Sequence, residues 1–116
     1  LRLIFWGGGS PLKLTETLQS ANSYNWGDTS VTTTKKHKYV LAVVNYTNSD
    51  GNFLQTMTAS FSAGKEVLLN KTLGEANNTR MSVISLFRNV PTGTTISYTK
   101  SQGYATTMYL QVYCFD

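Results

Sequence analysis

Charged residues are scarce in this sequence: Asp, Glu, Lys and Arg make up 14% of 116 residues, where an ordinary soluble domain carries about 25%. Thr, Ser, Asn and Tyr take their place. β-Branched Thr and aromatic Tyr suit a pleated surface, while Ser and Asn compete with helical hydrogen bonds, so the exchange favours strands over helices. Cysteine occurs once, at Cys114, which excludes an internal disulfide and leaves stability to the core or to neighbouring subunits. No apolar run approaches the roughly 18 residues of a membrane helix, so no membrane insertion is expected. No signal peptide is recognisable either.

Histidine is equally scarce. The one imidazole, His37, sits in the run Lys35-Lys36-His37-Lys38, read as a solvated turn leading into a strand, its lysines discouraging edge-to-edge sheet pairing. An exposed histidine with no nucleophile beside it excludes a catalytic triad. The carboxylates are Glu16, Asp28, Asp50, Glu66, Glu75 and Asp116, and all but Glu16 fall in turns, loops or at the terminus, as solvated side chains do. No spacing matches a zinc or calcium ligand set, and Gly7-Gly8-Gly9 lacks the Lys-Ser/Thr of a phosphate loop. The expectation is a protein without catalytic residues, metal or cofactor. A formal net charge of +4 with only that one dense basic run, and no arginine cluster or basic-aromatic motif, gives no reason to expect a nucleic-acid partner.

What is present is alternation. Residues 1–6 read as a short strand broken by Gly7 to Pro11, and residues 12–18 place Leu12, Leu14 and Leu18 on one face with Lys13, Thr15 and Thr17 on the other. Residues 19–34 lack strong periodicity and read as a long loop. Residues 39–46 are apolar on both faces, as in a central strand, and the Asp50-Gly51 turn leads to residues 53–61, predicting a hairpin between the two. Turns at 63–66, 74–79, 90–93 and 101–103 separate further strands at 67–73, 80–88, 94–100 and 104–115. The expected fold is all-β: one domain over residues 1–116, an antiparallel β-sandwich of about eight strands, jelly-roll-like. The sequence opens at Leu1 rather than methionine, so it is read as the C-terminal part of a longer chain. Cys114, beside the core-like Met108, Leu110 and Val112, is expected to be a buried, inert thiol. The sequons at Asn45, Asn70 and Asn77 arise easily in a chain this rich in Asn and Thr.

Two groups of aromatics stand apart from the core pattern. Tyr24, Asn25, Trp26 and Asp28 gather in the long loop the side chains that contact sugars, aromatic faces for C–H groups and amide or carboxylate oxygens for hydroxyls. Trp26 equally suits folding back to cap the core. Tyr109, Tyr113 and Phe115 form the second face of the last strand, read as covered either by a second layer of the same core or by another subunit. The low charged fraction favours the subunit.

The opening Leu3-Ile4-Phe5-Trp6-Gly7, the central Tyr39-Val40-Leu41-Ala42-Val43-Val44, the turn Val90-Pro91-Thr92-Gly93-Thr94-Thr95-Ile96 and the closing Met108-Tyr109-Leu110-Gln111-Val112-Tyr113 resemble the C-terminal head domains of phage tail fibres and receptor-binding proteins. The resemblance implies a homotrimeric β-sandwich at the tip of a fibrous protein, on the virion, adsorbing to host cell-surface carbohydrate without enzymatic activity. It supplies no binding residues. A secreted, extracellular carbohydrate-binding module and a purely structural virion domain are the alternatives.

Overall fold

A computed structural model describes residues 2–3, 11–22, 27–48, 57–61, 66–74, 80–100 and 106–116. Among these the chain is all-β, with nine strands: β1 (Arg2–Leu3), β2 (Leu12–Asn22), β3 (Gly27–Thr32), β4 (His37–Asn48), β5 (Met57–Phe61), β6 (Glu66–Gly74), β7 (Arg80–Val90), β8 (Thr95–Lys100) and β9 (Thr106–Phe115). They form an antiparallel sandwich of a six-stranded sheet, ordered β1-β2-β9-β4-β7-β6, and a three-stranded sheet, ordered β3-β8-β5.

The topology follows from one long ribbon wrapped on itself. β2 pairs with β9, β3 with β8 and β4 with β7, so the first half of the chain runs antiparallel to the second throughout. The pairing passes from Thr32 opposite Thr95 to His37 opposite Val90 without loss of register, although it crosses from the small sheet to the large one. Wrapping then brings β4 onto β9 and β5 onto β8, which closes the jelly roll. The crossing is held at residues 33 and 94. Thr33 and Thr94 are buried; the Thr33 N–H donates to the Thr94 carbonyl at 2.9 Å, the Thr94 N–H to Thr33 Oγ1 at 3.0 Å, and both hydroxyls donate to the Pro91 carbonyl at 2.8 Å. Gly93, at φ 77°, adopts the left-handed backbone this turn needs. Continued once more the ribbon would pair β5 with β6, but β6 stays on β7 as the edge of the large sheet.

Alternation builds the core. Val40, Ala42, Val44 and Tyr46 of β4 face Val83 and Phe87 of β7 and Met108, Leu110, Val112 and Cys114 of β9, and the small sheet lays Val31, Ile96 and Tyr98 over them. Cys114 is buried and free, as its neighbours in the pattern imply. Between the sheets the Tyr98 hydroxyl donates to Ser85 Oγ at 2.7 Å, and Ser85 donates to Asn70 Oδ1 at 2.9 Å. Burial pushes the Tyr98 phenol up to about 12, against the lowering effect of its Ser85 bond.

Two local expectations fail. The hairpin between residues 39–46 and 53–61 does not form: β4 lies between β9 and β7, and β5 is in the other sheet beside β8. Nor are residues 19–34 a single loop, since β2 continues to Asn22 and β3 occupies Gly27–Thr32. β3 buries Thr29 and Val31 and exposes Ser30 and Thr32. A threonine in a core position hides the apolar alternation, and the fold accommodates it because its hydroxyl donates to Ser20 Oγ at 2.8 Å.

Candidate functional site

The residues expected to contact a ligand fall unevenly. Tyr24, Asn25 and Trp26 lie outside the described residues. Asp28 is an exposed member of β3, its carboxylate accepting from Thr99 Oγ1 at 2.6 Å and its carbonyl from Asn22 Nδ2 at 2.8 Å. It is therefore a sheet residue engaged by its neighbours.

The expected interface residues divide as well. Tyr109 is the most exposed large apolar side chain among the described residues, at 53%, and Tyr113 is half-buried. Phe115 is corrected: it is 2% exposed, buried within the chain itself. It stands opposite Leu14 where β2 carries a bulge, and burial stops alternating there, Cys114 and Phe115 both being covered. The patch that remains belongs to the outer face of the large sheet. One rung runs Tyr113, Leu41, Leu86, Leu69 across β9, β4, β7 and β6, and Val43 and Ile84 lie in the next. Leu69 and Leu73 at the β6 edge are 44% and 45% exposed. Toward β2 the same face becomes amphiphilic, with adjoining grooves of about 390 and 370 Å³ that share Gln19 and Gln111 and are flanked by Tyr109 and Tyr113 respectively.

A second site was not anticipated. His37, expected in solvent, is 1% exposed and lies between two carboxylates. Its Nε2 contacts Glu16 Oε2, and its Nδ1 lies 2.8 Å from Asp116 Oδ2. Two irregularities aim these groups at one point. On β2 the register shifts between Leu14 and Glu16, making Thr15 the bulged residue and setting Glu16 opposite Cys114. On β4 and β7 the alternation slips together: Lys38 and Tyr39 both separate the buried His37 and Val40, as the exposed Arg88 and Asn89 separate Phe87 and Val90. Asn89 takes φ 56°, the left-handed region that asparagine tolerates better than most residues. The slip turns His37 inward, where strict alternation would have sent Lys38.

The hydrogen bonds around the imidazole converge on it from both sides. Asp116 exchanges backbone bonds with Lys13 at 2.9 Å, which fixes its carboxylate over β2. That carboxylate accepts from Thr15 Oγ1 at 2.7 Å and from the Lys38 backbone N–H at 3.0 Å. Glu16 Oε1 accepts from the Thr34 hydroxyl and from its backbone N–H. Burial raises both carboxyls, but the bonds from Thr34 and His37 to Glu16, and from Thr15, His37 and Lys38 to Asp116, outweigh it and leave both below the usual carboxylate range. Cys114 Sγ completes the group: one ligand atom each from Glu16, His37 and Cys114 lies within 4.8 Å of the others. Burial, followed by the nearby charges of Glu16 and Asp116, pushes this thiol up to about 12. A surface pocket of about 340 Å³ opens beside the cluster, lined by Lys36, His37, Lys38, Asn89, Pro91 and Asp116.

One sequence signal pointed to this place. In the face Leu12, Leu14, Leu18 of β2, Glu16 occupies the same side, a carboxylate set among core leucines. Comparison with protein families, with curated proteins and with solved structures finds no match, so the geometry alone carries the reading.

Proposed function

We propose that this chain is a non-enzymatic, receptor-binding head domain of the kind that ends phage tail fibres, a homotrimer adsorbing to host cell-surface carbohydrate. The outer face of the large sheet supports this most directly. It sets the rung Tyr113, Leu41, Leu86, Leu69 beside the exposed Tyr109 and Leu73, on the side of the sheet that, among the described residues, the small sheet does not cover. Apolar area of this kind on a small domain without disulfides suits burial against neighbouring copies. The jelly roll suits a head domain whose loops present the ligand surface, and the segment Tyr24, Asn25, Trp26 carries carbohydrate-contact chemistry. His37 supports the non-enzymatic reading, because both its ring nitrogens are engaged by carboxylates and its side chain has no exposed surface.

Light scattering on the domain at micromolar concentration tests the assembly. A mass three times the 12.8 kDa chain is expected, falling to one chain in Tyr113→Asp. A wild-type mass of one chain would remove the trimer. Adsorption to host cells tests the ligand: Trp26→Ala is expected to abolish it with the fold intact, and unchanged adsorption would move the contact elsewhere. The second reading, a monomeric carbohydrate-binding module, is favoured by the tyrosine and glutamine grooves along β2 and β9. A monomer whose glycan binding is lost in Gln111→Ala would establish it.

A further inference from the structure

We propose that Glu16, His37 and Cys114 form a binding site for a divalent transition-metal ion of the zinc class, with Asp116 orienting the histidine from behind. The argument begins with hydrogen-bond inventory. A neutral imidazole has one N–H, yet both nitrogens of His37 face carboxylate oxygens, and an ionised carboxylate can only accept. Asp116 is held by the Thr15 hydroxyl and the Lys38 N–H, and its position 2.8 Å from Nδ1 assigns the N–H to that nitrogen. In the neutral ring Nε2 then directs its lone pair at Glu16 Oε2, which is repulsive unless a proton or a metal ion lies between them.

A proton would satisfy those two atoms, but a third donor is turned into the same space. Cys114 Sγ shares it, on the ladder position of β9 directly opposite Glu16. Nitrogen, oxygen and sulfur together are the donor set of zinc-class ions, whose bonds of about 2.0 to 2.3 Å place ligand atoms roughly 3.3 to 3.8 Å apart. The three atoms lie within 4.8 Å of one another, and His37 Nε2 and Glu16 Oε2, now in direct contact, would part to reach that spacing.

The surroundings match as well. A metal-bound histidine usually gives its other N–H to a carboxylate, which fixes the tautomer and raises the ligand's basicity, and Asp116 stands in that position. Glu16 is likewise oriented by Thr34. Glu16, with 10% of its side chain exposed, gives a solvent molecule access to the fourth position. Lys35, Lys36 and Lys38 are exposed and keep their ammonium groups in water. Such an ion would join β2, β4 and β9, neighbours at the middle of the large sheet, where the chain has no disulfide.

The test is titration of the chelator-treated chain with cobalt(II), then displacement by zinc. One equivalent of cobalt should give a sulfur-to-cobalt charge-transfer band, and excess zinc should raise the thermal midpoint by roughly 5 °C or more. Cys114→Ala, which leaves only a small cavity, should lose the band and weaken binding by at least about tenfold. Asp116→Asn should keep the band and weaken binding about 10- to 100-fold, as loss of an orienting partner does. Wild-type protein that shows neither band nor midpoint shift in excess metal would overturn the proposal and leave a proton as the bridge. Cobalt bound equally well by Cys114→Ala would overturn it too, by placing the ion elsewhere.

Discussion

Two of the buried polar groups among the described residues are satisfied in opposite ways. Tyr98, Ser85 and Asn70 form a neutral relay in which each hydroxyl donates to the next acceptor, joining the small sheet to β7 and β6. Glu16, His37 and Asp116 form a charged group in which two acceptors compete for one imidazole. The relay is complete within itself and acts as a joint between sheets. The charged group places two acceptors on one imidazole, and a proton or the proposed metal ion would balance it.

Removing the imidazole should break this contrast most forcefully. His37→Ala leaves two carboxylates facing each other with no cation between them, and a loss of about 3 kcal/mol is expected, at the lower end for buried pairs because Asp116 is one-third exposed. Urea denaturation at neutral pH measures it. A loss below about 1 kcal/mol would put the charged group on a level with an ordinary hydrogen bond, and the contrast would collapse.

High pH attacks the relay instead. The folded Tyr98 phenol, at about 12, titrates above its ordinary value of 10.0, so the stability carried by its neutral form is fully present below pH 10 and lost as pH rises toward 12. The difference corresponds to about 3 kcal/mol. Cys114, pushed up to about 12 by burial and by Glu16 and Asp116, weakens the fold over the same alkaline range. Tyr98→Phe therefore isolates the tyrosine: its stability should fall less steeply above pH 10 than that of the wild type. Parallel curves would mean that Tyr98 does not titrate with unfolding.

The same Tyr98→Phe change at neutral pH leaves Ser85 without its donor and should cost about 1 kcal/mol, read from the urea midpoint. A neutral result would show that solvent or a rearranged Ser85 replaces the bond. Smallest of all should be the intrinsic effect of Leu69→Lys on the outer face, within about 0.5 kcal/mol for the isolated chain, since the position is 44% exposed. A larger loss at a dilution where the chain is monomeric would show that Leu69 belongs to the core of its own subunit.

Much of the architecture was legible in the residues because strand formation and facing are local properties. The strand-like runs at residues 12–18, 39–46, 67–73 and 80–88 are strands, as are 95–100 and 106–115 of the last two runs, and Met108, Leu110, Val112 and Cys114 form one core face. Pairing was less legible. Asp50-Gly51 argued for a local hairpin, yet β4 found its partners in β7 and β9, because wrapping the whole ribbon buries both of its long edges, which no two-strand turn can do. Threonine at position 29 concealed β3 for a related reason: its hydroxyl is acceptable inside only because Ser20, from another strand, is there to receive it.

The charged group shows where sequence reading stops. Composition and alternation determined that this chain is an antiparallel β-sandwich with Cys114 in its core, since both depend on neighbours along a single strand. Only the tertiary structure decided that His37 leaves its lysine run for the interior. That outcome depends on a bulge at Thr15, on a phase slip shared by β4 and β7, and on the backbone pairing of Asp116 with Lys13. The slip turns His37 inward, the bulge sets Glu16 opposite Cys114, and the pairing with Lys13 fixes the Asp116 carboxylate over β2. Three such departures converge on one point only when residues 16, 37, 114 and 116 have been brought together by β2, β9 and β4 lying side by side.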